Sequence, residues 1–243
     1  KIRPITVSNF LLRLIGSCIM IAAKPTTAKT QFAISVKNGT TIIAHTVRSL
    51  AEKQAVIKVD LQNAFHEVKR GRLRELIRNE DISLRKYFEM VYGNSHSKLY
   101  HYTRDGHTCF PFTHCVLQGD DTSAYLFCKI IDFITNNVTI DMKKAGVDIG
   151  CYAYMDDITI TVTPDKVELV SRSLVENIRS AGLTPNLSKS KIYLPKGCAD
   201  TALSEVRIHG SQNPAEATAG PMSENISVTC NVDEPMVLMG ALI

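Results

Sequence analysis

Three acids stand where short β-rich runs stop. Asp60 closes the run Ala55-Val-Ile-Lys-Val-Asp60, and Asp156-Asp157 separates the β-rich stretches 151–155 and 158–162. Neighbouring carboxylates repel, and burying them unpaired is costly. A divalent cation removes that conflict, because hard oxygen ligands are what Mg²⁺ prefers. Carboxylates meeting at strand ends suit two ions roughly 3.5–4 Å apart, the arrangement that serves in-line phosphoryl transfer. The alternative is plain: Asp-Asp is also an ordinary β-turn dipeptide. The flanks favour the site. Tyr152-Ala-Tyr-Met-Asp-Asp-Ile-Thr-Ile160 is apolar before and after both acids, so the turn emerges from a buried sheet.

The elements that must position these acids follow from periodicity. Residues 5–22 place Ile5, Leu11, Leu12, Ile15 and Ile19 at helical spacing, which predicts a helix packed on a core, and 40–52 reads as a second amphipathic helix. From 66 to 79, Val68, Leu73, Leu76 and Ile77 share one helical face, with Lys69, Arg70, Arg72, Arg74 and Arg78 around the rest. That basic set is either a solvated face or a contact for nucleic-acid phosphates. A helix over 83–92 precedes two strand-like runs, 98–103 and 108–113, that flank Asp105-Gly106, a hairpin signal. Further helices are predicted over 120–136 and over 165–181, the latter stopped by Gly182, and a short strand over 191–194. Residues 195–227 read as loop and 228–243 as a closing hairpin. Helices alternating with mostly antiparallel pairs give an α+β fold with one sheet face covered.

Charge is divided unevenly. The 28 Lys and Arg exceed the 24 Asp and Glu only slightly, yet residues 199–243 hold one basic side chain, Arg207, against six acids. The excess of positive charge therefore lies in the first four-fifths of the chain, which suits a polyanionic partner; the tail does not. Seven scattered cysteines without a Cys-x-x-Cys pair fit neither a disulfide framework nor a zinc module. The longest apolar stretch, Phe10–Ala23, is interrupted by Arg13 and is too short to cross a bilayer, so no membrane partner is expected. A start at Lys1, without methionine, is expected of a piece of something longer.

The motifs, in order, resemble those of reverse transcriptases. Tyr154-Met-Asp-Asp157 resembles the catalytic hairpin, and Asp60-Leu-Gln-Asn-Ala-Phe65 resembles the first metal-binding motif. Leu117-Gln-Gly-Asp-Asp-Thr-Ser-Ala-Tyr-Leu-Phe127 is similar to the loop-helix between them. Gly182-Leu-Thr-Pro-Asn-Leu-Ser-Lys-Ser190 is similar to the lysine-bearing motif that follows, and Arg3-Pro4-Ile5 to a fingers motif ahead of them all. Within the family the chain most resembles site-specific retrotransposons lacking long terminal repeats. That likeness rests on Asn63-Ala-Phe65 with Val68 and Arg70, on Gln31-Phe32 before Gly39-Thr40, and on the tail Val237-Leu-Met-Gly-Ala-Leu-Ile243. Ala124 and Asp121 replace prolines usual in the family.

The resemblance implies a right-hand polymerase with fingers and palm, its antiparallel palm sheet packed on helices. Residues 1–54 would be part of the fingers, 55–194 the palm with a fingers insertion, and 195–243 a loop and hairpin leading toward a thumb. Asp60, Asp156 and Asp157 would hold two Mg²⁺ ions, with Mn²⁺ a possible substitute, aided by the Leu61 carbonyl. Lys189 would orient or protonate pyrophosphate. Arg3 would contact the triphosphate, Gln118 and Gly119 would line the nucleotide pocket, and Phe65 would be a steric gate against ribose. The implied reaction is RNA-templated DNA synthesis, with an RNA template, a DNA primer and deoxynucleoside triphosphates as partners. Elsewhere in the polyprotein a thumb and an endonuclease are expected. The location implied is intracellular, and nuclear for a eukaryotic retroelement. Two alternatives stay open: another right-hand polymerase, such as telomerase or an intron-encoded enzyme, and an inactive or domesticated nucleic-acid-binding domain.

Overall fold

The computed structural model describes residues 9–34, 36–93, 98–111, 115–117, 119–195 and 198, together with the strand backbones at 205–209, 223–229, 237–238 and 241–242. By its contacts the chain forms two units, one of residues 1–27 and 63–130, the other of 28–62 and 131–243.

The second unit is built on a six-stranded sheet in the order β4-β5-β1-β6-β8-β7. Its strands are β1 (Ala55–Leu61), β4 (Gly150–Tyr154), β5 (Asp157–Val162), β6 (Pro185–Tyr193), β7 (Glu205–His209) and β8 (Ser223–Thr229). All neighbours are antiparallel except β6 and β8, which run parallel. The sheet forms here because β-branched residues alternate along its central strands: Ile57, Val59, Ile158, Ile160 and Ile192 are all fully buried. Two helices cover it. Helix α2 (Gly39–Ala51) lays Ile43 and Val47 against Val56 and Tyr193. Helix α7 (Val167–Ser180) contacts β1 and β6 and buries Val167, Val170, Leu174, Val175 and Ile178 at 3.6-residue spacing. It ends in a Schellman motif: Leu183 N–H donates to the Ile178 carbonyl and Gly182 N–H to that of Arg179, with Gly182 at φ +82°.

The first unit contains α1 (Phe10–Ala23), α3 (Ala64–Glu67), α4 (Arg70–Leu76), α5 (Ile82–Tyr92) and the hairpin of β2 (Lys98–Thr103) and β3 (Gly106–Pro111). Helix α6 (Ser123–Lys144) runs through the boundary at residue 130, and β9 (Val237–Leu238) pairs with β10 (Ala241–Leu242). Among the described residues no helix is long and apolar enough to cross a membrane.

Four expectations change. The helix expected over 66–79 is two helices, because Val68 turns extended (ψ 121°) and its carbonyl accepts the Cys115 N–H at 3.0 Å. Helix α1 buries only Gly16, where an added Cβ would meet the Tyr87 hydroxyl at 2.9 Å; Phe10, Leu11, Leu14, Ile15 and Ile21 remain exposed. Strand β6 starts six residues before the β-rich run, and β7 and β8 occupy part of the stretch read as loop. Strand β3 begins at Gly106, leaving Arg104-Asp105 as the turn.

The basic set on 69–78 is also not one solvated face. Arg70 is 8% exposed, its Nε donating to the Cys115 carbonyl and a terminal nitrogen to that of Tyr92, each at 3.2 Å, with the guanidinium 5.5 Å from the Tyr92 ring centre. Burial lowers its pKa, a pull opposed by Cys115 and Tyr92. Arg74 holds Glu89 through two nitrogens, at 2.6 and 2.9 Å, and Arg72 pairs with Glu75 at 2.7 Å. Replacing Arg70 by Met strands two buried carbonyls, and the expected loss is about 2 kcal/mol in urea unfolding. Arg70→Lys should recover less than half, since an ammonium lacks the planar fork. An unchanged unfolding midpoint in both variants would refute this account.

Candidate active site

The hairpin of β4 and β5 closes through Tyr154 paired with Asp157, leaving Met155 and Asp156 as a two-residue turn. Met155 sits at φ +54°, a left-handed conformation that costs a non-glycine residue roughly 1–2 kcal/mol. Strand β1 pairs antiparallel with β5, and Val59 faces Ile158. One step further along both strands stand Asp60 and Asp157. The register therefore brings Asp60, 96 positions before Asp156, to the level of the hairpin tip and onto the same sheet face as Asp157.

On its other side Asp60 meets an irregularity in the ladder. Between Lys58 paired with Lys191 and Asp60 paired with Asn186, β1 advances two residues and β6 five. The extra chain is a bulge, a device that re-aims side chains. Ser190 closes it, its hydroxyl donating to the Asn186 carbonyl at 2.9 Å and accepting the Asp60 N–H at 3.2 Å. Asn186 Nδ2 donates to Asp60 Oδ2 at 2.9 Å, and the Ser188 hydroxyl in turn fixes Asn186 Oδ1 at the same distance. Lys189 lies within the bulge and is exposed. Leu61 is buried and pairs with Pro185.

Lys58 adds a cation to the acids, its Nζ 3.6 Å from Asp157 Oδ1. Asp60, Asp156 and Asp157 are all partly exposed, so solvent and ions reach them. Their oxygen donors suit a hard divalent cation. As placed, no three acid, histidine or cysteine side chains among the described residues converge closely enough to hold one. Donor chemistry and strand register thus fit a metal, while the side chains as placed do not converge on one point.

The first unit carries other sequence candidates. Phe65 is partly buried and stacks on Phe127, ring centres 4.5 Å apart and 17° from parallel, while its carbonyl accepts the Val116 N–H. Gly119 has φ +111°, which glycine tolerates without cost. Asp120, next to it, is buried at 6% exposure beneath hydroxyls: Tyr87 at 3.0 Å, Tyr92 at 2.5 Å and Thr122 at 2.9 Å. Burial, then the Asp120 charge, pushes both phenols well above their ordinary pKa, so they remain neutral donors. Asp121 is exposed and accepts a hydrogen bond from Ser17. Arg3 and Gln118 lie outside the described residues.

Sequence reasoning missed Gln31, Lys58, Asn186 and Ser190 as parts of this site. Asn186 and Ser190 stood in the lysine-bearing motif and Gln31 in the Gln31-Phe32 pair, which carried a signal for the family but none for these contacts. The contacts themselves depend on a strand register, a bulge and a strap that no local pattern announces.

A palm-type polymerase sheet with acids at the adjoining ends of β1 and the β4–β5 hairpin defines the class of fold. The chain belongs to the reverse transcriptase family: a family model described as reverse transcriptase (RNA-dependent DNA polymerase) matches residues 1–223. Among solved structures, telomerase from Candida tropicalis in complex with a fragment of telomeric RNA is similar over 74% of this chain and 32% of its own, at 12% identity and a TM-score of 0.54. Apo telomerase from Candida tropicalis is similar over 80% of this chain and 37% of its own, at 10% identity and a TM-score of 0.56. These likenesses show the fold, and the chain spans about a third of the length of those proteins. No individual curated protein matches at a significant level.

If Asn186 orients Asp60, the two are energetically coupled. A double-mutant cycle with Asn186→Ala and Asp60→Ala should yield a coupling of about 1 kcal/mol in urea unfolding. Strict additivity would show that the hydrogen bond holds nothing in place.

Proposed function

We propose that this chain is the fingers–palm core of an RNA-directed DNA polymerase from a retroelement, of the site-specific type lacking long terminal repeats. The observation that carries the reading is the register of β1 on β5, which sets Asp60 level with Asp157 at the hairpin tip in a member of the reverse transcriptase family. The reaction is attack of a primer 3′-hydroxyl on the α-phosphate of a deoxynucleoside triphosphate, directed by an RNA template.

Asp60, Asp156 and Asp157, with the Leu61 carbonyl, would hold two Mg²⁺ ions, or Mn²⁺ in their place. Bound there, such ions supply a lowered pKa at the attacking hydroxyl and charge compensation at the departing pyrophosphate. Asp157 must release Lys58 to join its neighbours, and Asn186 keeps Asp60 oriented meanwhile. Lys189, exposed in the bulge, is suited to meet pyrophosphate as a point charge. Arg3 would grip the triphosphate with a planar fork. Gln118 and Gly119 would shape the nucleotide pocket, glycine allowing close backbone approach. Phe65, braced by Phe127, is rigid enough to exclude a 2′-hydroxyl. A thumb and an endonuclease elsewhere in the polyprotein, and nuclear action in a eukaryotic host, complete this reading.

One observation favours a second reading. The acids are not converged, and a chain in which they never converge would be a nucleic-acid-binding relic of the same fold. Primer extension on an RNA template with Mg²⁺ separates the two. Wild type should extend, and Asp60→Ala, Asp156→Ala and Asp157→Ala should each lose more than the roughly 10–100-fold typical of an outer-shell change. Equal activity in all four proteins would defeat the assignment.

The gate has its own test. Phe65→Ala should raise ribonucleotide use relative to deoxynucleotide use by about tenfold or more, and no gain would count against it.

A further inference from the structure

Residues 28–33 form a strap along the free edge of β4. The Thr30 carbonyl accepts the Ala153 N–H at 2.7 Å, and Phe32 N–H donates to the Ala153 carbonyl at 2.8 Å, an isolated parallel bridge centred on Gln31. The strap is itself tied to α6: Ala28 N–H donates to Asp132 Oδ2 at 2.8 Å, and the Thr30 and Thr135 hydroxyls lie 2.9 Å apart. Helix α2 presses on it so closely that a Cβ on Gly39 would fall 2.1 Å from the Phe32 carbonyl oxygen. This is a rigid anchor.

From it the Gln31 side chain reaches the catalytic turn. Its Oε1 accepts the Met155 N–H at 3.1 Å and the Ala33 N–H at 3.2 Å. Gln31 is 1% exposed, and its Nε2 is buried without a hydrogen-bond partner. An unpaired buried amide is unfavourable, so a methionine or leucine would serve better if packing were the only task. What the glutamine provides is an acceptor for Met155, the strained left-handed residue that immediately precedes Asp156. A two-residue turn can exchange conformers, and the peptide orientation at Met155 decides where Asp156 points.

We propose that Gln31 is a positioning residue that locks Met155 in its left-handed conformation and thereby aims Asp156 at the metal site. The metal half of this inference rests on the proposed function; the hold on the turn does not. The test uses the 243-residue chain with two readouts, hydrogen exchange at the Met155 amide and Mn²⁺ binding followed by electron paramagnetic resonance. Gln31→Met should leave the thermal midpoint of the sheet in place, speed Met155 exchange about tenfold, and raise the Mn²⁺ half-saturation concentration by about tenfold or more. In a Met155→Gly background, where the left-handed conformation costs nothing, both effects of Gln31→Met should shrink. A merely structural glutamine would give the same losses in both backgrounds.

Unchanged Met155 exchange, or unchanged Mn²⁺ affinity, in folded Gln31→Met overturns the proposal. Should Gln31→Met fail to fold, Gln31→Glu decides, because it keeps the accepting oxygens: protected Met155 supports the proposal, and fast exchange overturns it. A wild-type chain that binds Mn²⁺ yet extends no primer would defeat the polymerase reading alone. One that binds no Mn²⁺ would defeat the metal reading and the aiming of Asp156 with it, leaving Met155 exchange to decide the hold on the turn.

Discussion

Val59 opposite Ile158 is the pairing on which the site depends. Side chains alternate across a sheet, so a slip of one residue between β1 and β5 would turn Asp60 into the core and expose a valine or leucine in its place. The buried run Ile57, Val59, Ile158 and Ile160 resists that slip, because each of these side chains would have to leave the interior together. The hydrophobic pattern thus sets carboxylate geometry. No direct attraction between the acids is needed, and their mutual repulsion is overruled by the packing beneath them.

Charge on the Asp60 face follows from the same ladder. Lys58 lies directly across from Lys191, and like charges in that relation are unfavourable. Leaning toward Asp157, Lys58 relieves both this repulsion and that among the carboxylates. The result is an arrangement with one acid paired to an ammonium and another held by an amide. On the proposed function a divalent cation would bind by exchange at this partly compensated site, which involves less desolvation of bare charge than bringing three free carboxylates together.

Much of this was legible in the sequence, and the division has physical causes. Helices α2, α5 and α7 and the β4–β5 hairpin follow from periodicity and from turn residues, both local properties. Strand β6 did not, because Pro185-Asn-Leu-Ser-Lys-Ser190 has little β propensity and pairs only through a bulge sealed by a serine hydroxyl. The break between α3 and α4 was hidden because Val68 fits the helical stripe, while the bond that pulls it extended comes from Cys115, 47 positions later. The Lys69–Arg78 charges looked interchangeable by sequence. Burial separates Arg70, a structural tie between two carbonyls, from its solvent-facing neighbours. The order of the acids along the chain pointed to their chemistry; their register could come only from the sheet.

Both units solve the same problem with buried polar groups, in opposite ways. Around Asp120 a single negative charge is surrounded by Tyr87, Tyr92 and Thr122, donors that stay neutral, so the loop beginning at Gly119 is fixed by saturation of one carboxylate. At the turn, Gln31 fixes a backbone by accepting from it and leaves its own donor unmet. A saturated charge makes a permanent joint, since every bond broken exposes a buried ion to an apolar surround. A neutral amide with one idle half holds more weakly, and a strained Met155 stores part of that hold as conformational energy. The difference matches the demands on the two places. The Gly119 loop has only to keep its shape, whereas on the proposed function the Asp156 turn has to hold its aim and still adjust as carboxylates gather round an ion.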